Sequence, residues 1–74
     1  MGDKYPVLKP REIIRKLESF GFEYKSQKGS HIKYIKEGFP VRIVIIPNHD
    51  TVAKGTLKSI LEKANISLDE FLQK

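Results

Sequence analysis

The 74-residue chain has no cysteine. Disulfides and thiolate metal sites are therefore excluded as supports for the thin core that so short a chain can bury. Only two histidines, His31 and His49, are present. Without cysteine they are too few for a structural zinc site, so no metal and no cofactor is expected. No apolar run approaches the roughly 18 residues of a membrane span. Met1 to Pro10 lacks the apolar centre of a secretory signal. A Met1-Gly2 start suits myristoylation, but Pro6 stands where that motif wants Ser or Thr. The lack of cysteine fits a reducing compartment, and a cytoplasmic location is expected. Acidic side chains are the scarce charge: nine against 14 basic ones, for a formal net charge of +5. This excess suits a polyanionic partner, whether nucleic acid, an acidic protein or an anionic membrane surface. Walker loops, GxSxG, HExxH and dinucleotide fingerprints are all missing.

What is present divides into a leader, residues 1–9, and a single domain, residues 10–74. Pro10 can open a first helix running to Phe20, because proline at the first helical position gives up no needed donor. Ile13, Ile14, Leu17 and Phe20 form its apolar stripe, and Gly21 supplies a left-handed stop. From Phe22 the period changes to two. Phe22, Tyr24 and Ser26 alternate with Glu23, Lys25 and Gln27, and a turn follows at Lys28-Gly29. The second strand runs from Ser30 to Lys36, with Ile32 and Tyr34 on one face and His31, Lys33 and Ile35 on the other. Glu37 to Pro40 reads as the hairpin connection. The third strand, Val41 to Ile46, is β-branched and apolar on both faces. In simple register Val41, Ile43 and Ile45 serve the core. Val44 and Ile46 then join Ile35 in an outward patch suited to protein docking. A second helix, Lys54 to Ala64, carries Leu57, Ile60, Leu61 and Ala64 and ends at Asn65. Ser67 to Glu70 is a capping box that opens a short last helix.

The order α-β-β-β-α predicts an α+β fold. It is a two-layer sandwich with both helices on one face of a three-stranded antiparallel sheet. The other face is open, and His31 lies on it. Histidine is the side chain that exchanges a proton near neutral pH without a perturbed environment. It follows a glycine turn, where the backbone is accessible. Residues 22–36 hold four lysines against one glutamate. His31 could take a proton from a ribose 2′-hydroxyl while Lys28 and Lys33 stabilise charge on the attacked phosphate. The same residues would equally serve a module that binds RNA without cutting it. Lys54-Gly55-Thr56 opens the second helix, where free N–H groups favour a phosphate. His49, beside Asp50 in a loop, is a secondary candidate. Phe39 is better placed than Tyr24 or Tyr34 to stack on a base.

The pattern resembles the HicA toxins of toxin–antitoxin pairs over about residues 10–72. The resemblance rests on Leu17 to Gly21, Gln27-Lys28-Gly29-Ser30-His31, Ile46-Pro47, and the run from Lys54-Gly55-Thr56 to Leu61. It implies a fold like the double-stranded-RNA-binding domain, metal-independent cleavage of mRNA, and neutralisation by a HicB-type antitoxin. It places the catalytic histidine at His31, the Gly-Ser lead-in at Gly29 and Ser30, and a further histidine at His49. Asn65 stands where the family commonly has glycine, and Asn48 where arginine is frequent.

Overall fold

A computed structural model describes residues 5–74; the first four residues of the leader lie outside the described residues. Helix α1 spans Pro10–Ser19, and its first turn is tied by the Glu12 carboxylate, which accepts the Lys9 N–H at 2.9 Å. Ile13 and Leu17 are buried, with Ile14 and Phe20 partly so. At Gly21 the backbone turns left-handed, with φ of 98°, and Phe22 then enters the core. Strands β1 (Glu23–Lys28), β2 (His31–Lys36) and β3 (Arg42–Pro47) form one antiparallel sheet in the order β1-β2-β3. Helix α2, Lys54–Ala64, buries Leu57, Ile60, Leu61 and Ala64 and stops at Asn65, which takes the left-handed conformation with φ of 58°. Asparagine tolerates that conformation better than most residues do. Helix α3, Leu68–Leu72, starts in the expected capping box. The Ser67 hydroxyl accepts the Glu70 N–H at 3.1 Å, and the Glu70 carboxylate accepts the Ser67 N–H at 3.3 Å.

The two-layer α+β architecture is the one the sequence predicts. The core lies between the helices and the sheet face carrying Ile32, Tyr34, Val44 and Ile46, and Phe71 of α3 closes it. Tyr5 and Leu8 pack against this core from before α1, and Leu8 accepts the Val52 N–H at 2.8 Å. Among the described residues no helix is long and apolar enough to cross a membrane.

One part of the expectation is overturned. Val44 and Ile46 are fully buried, whereas Ile43 and Ile45 are 48% and 40% exposed. Val44 and Ile46 therefore cannot line an outward docking patch. The reason is the length of the connection. A four-residue link, Glu37 to Pro40, would set Lys36 opposite Val41. The observed link has five residues, and Lys36 pairs with Arg42. A slip of one residue moves every side chain of a strand to the other face. Tyr34 now opposes Val44 and Ile32 opposes Ile46, which joins four large apolar side chains beneath the helices. The period-two pattern held no phase, because β3 is apolar on both sides.

A candidate RNA-cleaving face

The β1–β2 hairpin builds the site. A two-residue turn, Gly29-Ser30, joins Lys28 to His31, and these two are paired across the ladder. Gly29 has φ of 59°. A left-handed first turn residue matches the right-handed twist of the flanking strands, and glycine takes it without a steric penalty. The Gln27 side-chain amide donates to the Gly29 carbonyl at 3.0 Å and braces the turn.

Strict alternation fails in β1. The register shifts between Tyr24 and Ser26, so Lys25 is an extra, bulged residue. Tyr24 pairs with Tyr34, whereas Ser26 pairs with Lys33 and Lys28 with His31. Without the bulge Lys28 would lie on the helix side of the sheet. With it, Lys28 joins the face of His31, an instance of a bulge re-aiming a side chain. On this open face Lys28, His31 and Pro47 form one cross-strand row. Ser26, Lys33 and Ile45 form the next, followed by Glu23, Ile35 and Ile43. His31 and Lys28 are exposed, and Lys33 and Ile35 are half-buried. The face thus grades from a cationic corner at the turn to an aliphatic patch at the far end.

Other expected site residues fall into two further groups. Asn48 donates its N–H to the Ser30 carbonyl at 2.6 Å, which ties the loop carrying His49 to the Gly29-Ser30 turn. His49 is exposed and lines a cleft of about 390 Å³ with Lys9, Pro10, Arg11, Asn48, Asp50 and Thr51. Lys54, Gly55 and the half-buried Thr56 make the first turn of α2. Ala53 precedes them and offers no capping side chain, and no acidic residue stands in that turn. Its first N–H groups therefore remain available to an anion. None of these residues belongs to a strand. Among the described residues no group of three or more His, Asp or Glu is arranged to hold a metal ion. Phe39 is fully exposed, in the β2–β3 link.

Sequence reasoning missed three contributions. Simple register sends Ile43 and Ile45 to the core, whereas both are exposed on the open face. Lys9 and Arg11 are far from His49 along the chain, and no local signal joins them. The bulge at Lys25 left no glycine or other local mark in the sequence.

A family model described as "HicA toxin of bacterial toxin-antitoxin" matches residues 10–66. No curated protein matches the chain.

Proposed function

The chain belongs to the HicA toxin family, the toxin side of a bacterial toxin–antitoxin pair, and from that premise we propose that it is a metal-independent endoribonuclease that cuts mRNA in the cytoplasm with His31. The observation that carries this reading is the cross-strand pairing of His31 with Lys28 at an exposed sheet corner, with Lys33 on the same face. An imidazole there can remove the proton from a ribose 2′-hydroxyl. The oxygen then attacks the adjacent phosphorus, and two ammonium groups face the negative charge that grows on the phosphoryl oxygens. Ser30 and Gly29 shape the approach: the turn is open, and a Cβ at Gly29 would meet nothing within 4 Å. The free N–H groups at Lys54, Gly55 and Thr56 suit a phosphate further along the strand.

A HicB-type antitoxin would neutralise this activity by covering the open face. Its apolar anchor is the patch of Ile35, Ile43 and Ile45, which borders Lys33. An acidic partner would complement the net charge of +5.

The test is direct. Purified protein is incubated with RNA in the presence of a chelator, beside the His31→Ala variant. Cleavage by the native chain should fall by about 100- to 10,000-fold in the variant, the usual contribution of a positioned proton-transfer group. Circular dichroism should be unchanged, because His31 is exposed. Cleavage that persists in the folded variant would remove His31 from the reaction. Salt-sensitive binding without any product would leave an RNA-binding module instead.

A further inference from the structure

Strand cleavage by a 2′-hydroxyl needs two proton transfers, and His31 accounts for one. We propose that His49 is the general acid that protonates the leaving 5′-oxygen, and that the cleft it lines with Lys9 and Arg11 receives the leaving strand. The proposal rests on the nuclease reading above.

The placement follows from the ladder. His31 is paired with Pro47, and the next pair along is sealed by the Asn48 N–H to Ser30 carbonyl bond at 2.6 Å. His49 lies two residues beyond Pro47, the ladder partner of His31. Paired Cα atoms lie about 4.5–5.5 Å apart across an antiparallel ladder, and two extended residues reach at most about 7 Å. The Cα atoms of the two histidines are therefore within about 12 Å, close enough for one bound strand to meet both side chains. Both histidines are exposed, so both can reach a bound strand.

The cleft supplies the second, independent observation. It lies between the start of α1 and the loop after β3. Two cations, Lys9 and Arg11, line it against one carboxylate, Asp50. A nucleotide leaving on this side would carry its next phosphate toward Lys9 and Arg11, and guanidinium is well suited to a phosphate.

The step balances without a co-reactant. His31 takes the 2′-hydroxyl proton, and the O2′–P bond forms as the P–O5′ bond breaks. Protonated His49 gives its proton to O5′. The products are a 2′,3′-cyclic phosphate and a 5′-hydroxyl, and the two histidines end with their protonation exchanged.

The experiment uses a short RNA whose cleavage site under the native protein has been mapped. It is made with either oxygen or sulfur at the bridging 5′ position of that site. A thiolate leaves without being protonated, so sulfur removes the need for an acid. His49→Ala and His49→Gln should slow cleavage of the oxygen substrate by about 100- to 10,000-fold and cut the sulfur substrate at close to the native rate. His31→Ala should be slow on both. Arg11→Gln should raise KM on the oxygen substrate and leave kcat unchanged. Equal slowing of both substrates by the His49 variants would make His49 a binding residue and overturn the proposal, as would native rates on both. If the native protein yields no cleavage site to map, the nuclease reading is overturned together with this one.

Discussion

Tyr34 shows how a single residue links the core to the charged surface. Its ring is buried and meets Tyr24 edge-on, with centroids 6.0 Å apart, and its hydroxyl donates to Glu18 Oε2 at 3.2 Å. Burial pushes the phenol above its ordinary range, and the nearby Glu18 carboxylate adds to the effect through its charge and its hydrogen bond. In the unfolded chain the phenol loses its proton near pH ~10. The folded chain holds that proton to higher pH. The resulting stability is complete below the unfolded value and is lost as pH rises through the folded one. Tyr34→Phe should therefore lower stability by about 0.5–1.5 kcal/mol at neutral pH through loss of the hydrogen bond. It should also flatten the decline of Tm above pH ~10 relative to the native chain. Thermal melts of both proteins at neutral and alkaline pH would check this. An equally steep alkaline decline in the variant would mean that other groups, not Tyr34, carry it.

Among the elements, β3 is the one whose orientation decides the most. Its two faces are nearly equal in hydrophobicity, yet they have opposite fates. Ile46→Ala should destabilise the fold by about 2–5 kcal/mol, because it empties a filled core position. Ile45→Ala, on the half-exposed face, should change stability by less than about 1 kcal/mol. Chemical denaturation of the two variants reads the register directly, and reversed values would restore the rejected pairing. The same contrast extends to the partner. Ile45→Lys should leave the fold intact and weaken antitoxin binding in a titration of the co-expressed pair, whereas undiminished binding would remove this patch from the interface. Strand β3 is also an edge of the sheet. The other edge, β1, carries lysines and a bulge, two common devices against strand addition. On β3, a charge and a proline stand only at the ends, Arg42 and Pro47, around four β-branched residues. A covering partner would protect that edge.

For the molecule as a whole, the net charge of +5 favours a polyanionic partner. RNA binding should weaken steeply with salt, and each neutralised phosphate contact should reduce the slope by about 0.7–0.9. Lys33→Gln should lower the slope by about that amount. Lys63→Gln, in the last turn of α2 at the end opposite Lys54, should leave it unchanged. Binding of a non-cleaved RNA analogue over a salt series would separate the two, and equal slopes would show that charge acts only diffusely. By itself the sequence determined what depends on near neighbours: the helices and their stops at Gly21 and Asn65, the capping box at Ser67, the layer order, and the side of β2 that carries His31. These follow from periodicity and turn chemistry within a few residues. The tertiary structure alone decided the phase of β3, the arrival of Lys28 beside His31, and the meeting of Arg11 with His49. The first needed a loop length that a strand apolar on both faces does not reveal. The second turned on one bulged lysine that looks like any other residue of an alternating strand. The third joins residues far apart in the chain, which become neighbours only in the folded molecule.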